Sequence, residues 1–180
     1  TALDYYERSL LIQQEIGFKY GIAQSLLQIG LVKSDIGKLD TAIDYYRRSL
    51  TIQEEIDDKR GMGYCLNCIG IVYRKKGDLD TALDYNNRSL IIGEELGDKR
   101  AMGQFLNDMG IIYLQKGDIG TALDYYTRSL AIKEEIGDKP GIGASLNSIG
   151  VVHDNKGDYD KALDYYGRAL ALQEEIDGKN

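Results

Sequence analysis

Cys65 and Cys68 stand in a CxxC spacing, the first pattern in the sequence that could carry chemistry. Such a pair, taken alone, suggests metal binding or thiol–disulfide exchange. A structural zinc site needs four ligands, however, and the sequence has no second CxxC and no pair of histidines. We therefore expect a small buried residue at position 65, a residue of an open helix face at position 68, and no metal site.

The single histidine and four recurring Glu-Glu pairs are the other candidates for acid–base chemistry. His153 stands where other copies of a repeated segment have Tyr73 and Tyr113, so a packed aromatic substitute is expected. Acid–base pairs need two carboxyl groups in different environments, whereas copied pairs share one environment. The pairs are expected to form a solvated acidic rim: Glu54-Glu55, Glu94-Glu95, Glu134-Glu135 and Glu174-Glu175. The sequence therefore predicts no catalytic residue, no cofactor and no enzyme activity.

A row of arginines follows aspartates at a spacing of four residues. An acid four residues before a base supports a helix by a few tenths of a kcal/mol. We interpret this row as structural rather than as an anion-binding track: Asp4/Arg8, Asp44/Arg48, Asp84/Arg88, Asp124/Arg128 and Asp164/Arg168.

These candidates all belong to a segment that recurs every forty residues. The stretch Lys76-Gly77-Asp78-Leu79-Asp80-Thr81-Ala82-Leu83-Asp84-Tyr85 has counterparts that begin at Gly37, Gly117 and Gly157, and the chain itself begins inside a copy. A fixed period of this size marks a repeat array, whose units pack on their neighbours. The predicted organisation is a single array of a half repeat (1–19) and four full repeats (20–59, 60–99, 100–139 and 140–180).

Each repeat is predicted to contain two antiparallel helices. Apolar residues from Cys65 to Tyr73 follow the i, i+3, i+4, i+7 spacing of a helix, Gly77 is a stop, and Asp78 can cap the next helix. First-type helices are expected at about 20–36, 60–76, 100–116 and 140–156, and second-type helices at about 2–16, 41–56, 80–96, 120–136 and 160–176. The predicted fold class is all-α, with nine antiparallel helices.

Glycine recurs in the middle of the first-type helices, where it costs about 1 kcal/mol relative to alanine. We expect it to allow close approach to a small residue of the second-type helix: Gly30 to Ala42, Gly70 to Ala82, Gly110 to Ala122 and Gly150 to Ala162. The second-type helix at 80–96 is expected to be the weakest, because Asn86-Asn87 replaces a Tyr-Tyr-type pair and Gly93 falls inside it.

The pattern Leu66-x-x-Ile69-Gly70-x-x-Tyr73, followed by Ala82 and a mostly aromatic site four residues on, resembles the tetratricopeptide repeat. Two features depart from that family: leucine replaces its common tryptophan, and its closing proline is absent. The longer, forty-residue form resembles the repeats of Leu-Gly-Asn-repeat (Pins-like) adaptors and of bacterial and archaeal signalling proteins. This resemblance implies an α-α superhelix, a solenoid whose first-type helices line a concave groove for peptides or helices.

Each first-type helix also carries residues outside its apolar stripe, and these residues would line the groove. Asparagines at equivalent positions form a predicted ladder, whose amides could pair with a peptide backbone; alternatively, asparagine is simply the repeat consensus on an exposed face. Arg74 and Lys75 form a basic spot for an acidic group, or are cations favoured at a helix C-terminus. The predicted peptide-binding residues are Asn67, Asn107, Asn147, Tyr64, Gln104, Arg74, Lys75, Asp108, Gln115 and Asp154.

Composition limits the choice of partner. The net charge of −7 argues against nucleic acid, because phosphate binding needs a basic face. No apolar run is long enough to span a membrane, so no membrane partner is expected. Two cysteines without a disulfide framework favour a reducing compartment, which predicts a cytoplasmic protein. Because the first residue is Thr1 rather than Met, we expect a piece of a longer protein.

Two functions remain open from the sequence. The first is a non-enzymatic protein–protein interaction scaffold that binds a peptide or helix of a partner in the concave groove. The alternative is a structural or regulatory spacer of a larger signalling protein, which self-associates end to end because its terminal helices lack caps.

Overall fold

A computed structural model describes residues 2–178, and these residues form nine α-helices and no β-strand. Every helix boundary lies within two residues of the predicted one, so the all-α fold of nine antiparallel helices is confirmed for the described residues. The first-type helices are α2 (Lys19–Asp35), α4 (Lys59–Lys75), α6 (Lys99–Gln115) and α8 (Lys139–Asn155). The second-type helices are α1 (Ala2–Glu15), α3 (Leu39–Glu55), α5 (Leu79–Leu96), α7 (Ile119–Glu135) and α9 (Tyr159–Asp177).

Aspartate caps and left-handed glycines set most of these boundaries, as predicted. The Asp58 carboxylate accepts a hydrogen bond from the Gly61 amide at 3.0 Å, and Asp78 accepts one from the Thr81 amide at 3.1 Å. Gly77 has a φ of 83°, in the left-handed region that ends helices. Asp57 takes the corresponding turn position without being glycine, with a φ of 56°. An L-residue in this conformation carries a local cost.

The helices fall into two compact units that divide between Leu96 and Gly97. The first unit holds α1 to α5, and the second holds α6 to α9. Inside each unit a second-type helix packs between two first-type helices: α3 lies between α2 and α4, and α7 lies between α6 and α8. The first-type helices bury their apolar stripes in these contacts, as Ile69 and Val72 of α4 show by being fully buried.

Three of the four glycines in the middle of the first-type helices make room for an aromatic ring rather than for an alanine, and the fourth, Gly70, faces the Asn86 side chain. A Cβ atom on Gly30 would overlap the ring of Tyr46, because it would lie closer to the ring atoms than real Cβ atoms lie to their neighbours. Gly110 faces Tyr126, and Gly150 faces Tyr166, in the same way. The expected alanine contact is therefore corrected: the glycine is needed because a side chain of the second-type helix, a tyrosine ring in three repeats and Asn86 in the other, lies directly against the helix backbone.

Candidate binding surface

The predicted groove residues divide into three groups by their exposure. Asn67 is buried. Half-buried positions are Tyr64, Arg74, Asn107 and Asp108, and exposed positions are Lys75, Gln104, Gln115, Asn147 and Asp154. Each compact unit has its own first-type helices, so the candidate binding surface has two parts, one on α2 and α4 and the other on α6 and α8.

Asn67 does not face a groove. Its side chain is 1% exposed, and its Nδ2 donates a hydrogen bond of 2.8 Å to Oδ1 of Asn86 on α5. The prediction that Asn67 presents its amide to a peptide is therefore corrected. The physical reason is the substitution at position 86: Asn86 stands where Tyr46 and Tyr126 stand in other repeats, and its amide offers Asn67 a partner inside the repeat.

The other two asparagines of the predicted ladder differ from Asn67 and from each other. The hydroxyl of Ser148 on α8 donates to Oδ1 of Asn107 on α6 at 3.4 Å, a bond between neighbouring first-type helices. Asn147 is exposed and lies in a cleft between α8 and α9. The three side chains therefore do not share one geometry, and a peptide would meet different chemistry at each of them.

The basic spot lies at the C-terminal end of α4. Lys75 is exposed, and its Nζ donates to the hydroxyl of Ser34 on α2 at 3.0 Å. This bond joins two first-type helices of the same unit, as the Ser148–Asn107 bond does in the other unit. The Lys75 ammonium is thus held on the face that α2 and α4 share, where it can also meet a carboxylate.

A cavity of about 620 Å³ opens between the N-terminal halves of α2 and α4. Tyr20 and Gln24 of α2 and Tyr64 of α4 line it, together with Leu27 and Leu96. Its rim is made of charged residues from Asp57 to Arg60. Sequence reasoning placed Tyr64 at this site and missed Tyr20. Tyr20 could have been recognised as a departure from the repeat, because Arg60 and Arg100 occupy the positions equivalent to it.

The CxxC pair has the environment expected of packing residues. Cys65 is buried, and Cys68 is half-buried and packs against the core cluster rather than lying on an open helix face; neither forms a disulfide. The Cys65 sulfur lies 3.3 Å from the hydroxyl of Ser49. Burial raises the pKa of the Cys65 thiol to about 11, so the thiol stays protonated at neutral pH. A nucleophilic or metal-binding cysteine needs the opposite shift.

His153 replaces an aromatic residue, as predicted. It is buried and stacks on Tyr165 with ring centroids 5.5 Å apart, and its Nδ1 lies 3.4 Å from a carboxylate oxygen of Asp158. The same stack joins Tyr73 to Tyr85 at 5.6 Å in another repeat. The imidazole therefore packs as the tyrosines do.

The charged rows form ion pairs at the surface, between helices for the glutamates and within one helix for the arginines. The second glutamate of each pair forms an ion pair with the lysine thirty-six residues earlier, at the start of the first-type helix: Lys19–Glu55, Lys59–Glu95, Lys99–Glu135 and Lys139–Glu175. The acidic rim is thus paired with lysines rather than only solvated. Arg128 lies 3.7 Å from Asp124, as the structural interpretation of the arginines predicts, and also covers the Tyr125 ring at 5.3 Å. Exposed pairs of this kind contribute little each.

Among residues 2–178, no group of three or more histidine, cysteine, aspartate or glutamate side chains is arranged to hold a metal ion. None of the helices in this range is both long and apolar enough to cross a membrane.

A sequence profile of the tetratricopeptide repeat matches residues 1–55, 64–135 and 102–175. The chain belongs to the tetratricopeptide repeat family. No curated protein matches the sequence. The fold of this tetratricopeptide repeat chain is similar to that of many solved structures.

Three of these structures share the fold at low sequence identity. BtubC (BKLC) from P. vanneervenii is 19% identical, with a TM-score of 0.80 over 96% of this chain and 72% of that one. A Rap protein complexed with competence and sporulation factor is 20% identical, with a TM-score of 0.89 over 97% of this chain and 49% of that one. The Rap conjugation gene regulator of plasmid pLS20, in complex with the Phr* peptide, is 19% identical, with a TM-score of 0.84 over 98% and 49%. The chain thus spans about half the length of the two Rap proteins.

Proposed function

We propose that this tetratricopeptide repeat chain is a non-enzymatic interaction scaffold whose first-type helices bind a peptide or helix of a partner protein. The observation that carries the proposal is the cavity between α2 and α4. Its walls combine two tyrosines, two leucines and the Gln24 amide, so a peptide can bury an apolar side chain and still satisfy its backbone. The Rap regulator of similar fold was solved with a peptide, which supports this class of ligand.

The residues around the cavity suggest how a peptide is held. Tyr64 and Tyr20 supply large contact areas with little side-chain entropy to lose. Lys75, farther along the same face, offers a cation to an acidic residue of the peptide. In the second unit, the exposed Gln104 and Gln115 supply amides on α6, and Asp154 supplies a carboxylate on α8. Asn107 and Asp108 lie on the same helix as the two glutamines. These differences between repeats would set specificity.

The test is a peptide library selected on the intact chain, followed by binding isotherms on two double variants. Gln24→Ala with Tyr64→Ala alters the cavity, and Thr51→Ala with Asn87→Ala alters exposed positions of second-type helices. Selected peptides should lose at least about tenfold in affinity on the first variant, which corresponds to one buried aromatic anchor, and should bind the second variant normally. Recovery of no peptide, or equal binding to both variants, would refute the scaffold proposal.

A second function, a spacer that self-associates end to end, is favoured by apolar side chains on the outermost helices. On α1, Tyr5 is 73% exposed and Ile16 is 69% exposed; on α9, Leu163 is 68% exposed. Exposed apolar patches of this kind mark association surfaces. Sedimentation equilibrium should then show oligomers that grow with concentration and disappear in a Leu163→Asp variant. A monomer at high concentration would exclude this function.

A further inference from the structure

Three residues that depart from the repeat line the cavity between α2 and α4, and two of them are tyrosines. Tyr20 lines it from α2 and Tyr64 from α4. The positions equivalent to Tyr20 hold Arg60, Arg100 and Pro140, and those equivalent to Tyr64 hold Gln24, Gln104 and Ala144. No other neighbouring pair of first-type helices therefore supplies two aromatic residues at these positions.

The third departure is Asp57, at the rim of the same cavity. The equivalent turns hold Gly17, Gly97 and Gly137, whereas Asp57 takes a left-handed φ of 56° without being glycine. Such a backbone conformation has a cost, and residues that bear one are concentrated at functional sites. The Asp57 side chain is exposed, and within residues 2–178 its carboxylate forms no hydrogen bond or ion pair. The rim thus carries a carboxylate that the fold does not use.

The other charges of the rim do not favour an anionic ligand. The Asp58 carboxylate already caps the N-terminus of α4. The Lys59 ammonium forms an ion pair with Glu95 at 3.1 Å. Together with Glu95, the rim holds three carboxylates (Asp57, Asp58 and Glu95) and two cations (Lys59 and Arg60), so its net charge is −1. Charge complementarity therefore favours a cationic group in the cavity.

Arginine is the side chain that matches all of these walls. Its planar guanidinium stacks on aromatic rings and offers paired N–H groups to a carboxylate. Its methylene stem covers apolar surface, which Leu27 and Leu96 supply here. The amide oxygen of Gln24 is a further acceptor. Lysine has the same charge but lacks the plane and the fork of donors, so it should bind more weakly.

We propose that the cavity between α2 and α4 binds an arginine side chain of the partner peptide, with the guanidinium between a tyrosine ring and the Asp57 carboxylate. The inference rests on the proposed function for the peptide that carries this arginine, but the preference of the cavity can be measured without that peptide. The equivalent place in the second unit is a natural control. Arg100, Gly137 and Asp138 line it, so an arginine replaces the tyrosine and a glycine replaces the exposed aspartate.

The experiment titrates the full, isotopically labelled chain with N-acetyl-arginine methylamide and follows the backbone amide shifts by NMR. N-acetyl-citrulline methylamide is the matched ligand, because it keeps the shape of arginine without its charge. The arginine ligand should saturate at millimolar concentration and shift residues around Tyr20, Asp57 and Tyr64. The citrulline ligand should bind about tenfold more weakly, because the cation–π contact and the ion pair are both lost. Residues around Arg100 and Gly137 should not shift with either ligand.

Protein variants test the two recognition elements separately. Asp57→Asn removes the charge but keeps a residue that tolerates a left-handed backbone, and Glu54→Gln removes an exposed carboxylate outside the cavity. Affinity for the arginine ligand should fall about threefold or more in Asp57→Asn and stay unchanged in Glu54→Gln. Tyr20→Arg introduces the residue of the equivalent positions and should cost about tenfold in affinity, because a ring is exchanged for a like charge. Tyr20 is 50% exposed, so circular dichroism should show this variant folded.

Three results would overturn this proposal. They are no saturable binding of the arginine ligand, equal affinity for arginine and citrulline, and unchanged affinity in both Asp57→Asn and Tyr20→Arg. Tighter binding of N-acetyl-glutamate methylamide or N-acetyl-phenylalanine methylamide would also contradict it, because Arg60 or the apolar walls would then decide what the cavity binds. The scaffold proposal survives each of these results if selected peptides still lose affinity in the variant that combines Gln24→Ala with Tyr64→Ala.

Discussion

Replacing Lys133 by glutamine should stabilise the protein, because this lysine buries a charge with little compensation. Its side chain is 7% exposed, and its Nζ donates one hydrogen bond, to the Ser145 hydroxyl at 3.0 Å. Burial lowers the pKa of the Lys133 ammonium, while the attraction of Asp138 and Asp108 partly opposes the shift. The first unit has glutamine at the same position, Gln53, which is fully buried and donates to Ser49 at 3.3 Å. Lys133→Gln therefore introduces a residue that this fold already accommodates.

The magnitude follows from opposing contributions. Removing an ammonium from water costs several kcal/mol, and its hydrogen bond returns about 1.5–3 kcal/mol. Glutamine avoids the ionic cost, but the Oε1 atom of Gln53 has no hydrogen-bond partner among the described residues, which indicates a remaining penalty. The expected net gain is about 1 kcal/mol in the free energy of unfolding at pH 7.

The pH dependence gives this prediction a distinctive signature. A lysine whose pKa is lowered by folding binds fewer protons in the folded state than in the unfolded state. The stability of the natural chain should therefore rise as pH increases from the folded pKa of Lys133 toward about 10.4, the ordinary lysine value. Urea unfolding of Lys133→Gln and of the exposed control Lys38→Gln, followed by circular dichroism from pH 6 to 10, measures this. The advantage of Lys133→Gln should shrink with rising pH; a destabilised variant, or a difference that does not change with pH, would refute the reasoning.

Five further variants test the packing and the backbone conformation, each by its free energy of unfolding in urea. Gly30→Ala should destabilise by about 2 kcal/mol, because its methyl group meets an aromatic ring, whereas Gly167→Ala, with open space around it, should stabilise by about 0.5–1 kcal/mol. Asn86→Tyr combined with Asn67→Leu, which recreates the Leu27 and Tyr46 pair of another repeat, should stabilise by about 1–2 kcal/mol, because it removes the buried Nδ2 of Asn86, which has no partner among residues 2–178, together with the amide that bonds to this residue, and Tyr126→Asn should destabilise. Asp57→Gly should add about 0.5–1 kcal/mol by relieving its left-handed backbone. If the free energy of unfolding changes in the opposite direction for any variant, the contact named for that variant does not determine its stability.

The helices were predictable because their signals are local. Asp58 and Gly77 mark a start and a stop within a few residues, and the same chemistry recurs in the other repeats. The identity of the fold required only the period and the spacing of leucine, glycine and aromatic residues. The role of Asn67 was not predictable from its own position, because its burial depends on Asn86, nineteen residues away on another helix.

The surface was predictable only in part, for the same reason. Tyr64 follows from the helical face on which it lies, and it does line a cavity. Tyr20 contributes to that cavity because of a substitution in one repeat, and such departures carry no periodic signal. The close packing of Gly30 against a ring, rather than against alanine, depends on the depth to which the second-type helix inserts its side chain. A hydrophobic pattern does not encode that depth.

The most direct test of the scaffold proposal is hydrogen–deuterium exchange of the chain with and without a peptide selected on it. Binding to the cavity should slow exchange in residues 20–27 of α2 and 60–67 of α4, since Tyr20, Gln24 and Tyr64 lie there. The exposed faces of α3 and α5 should exchange as before. Protection confined to the second-type helices, with none in α2 or α4, would contradict the account.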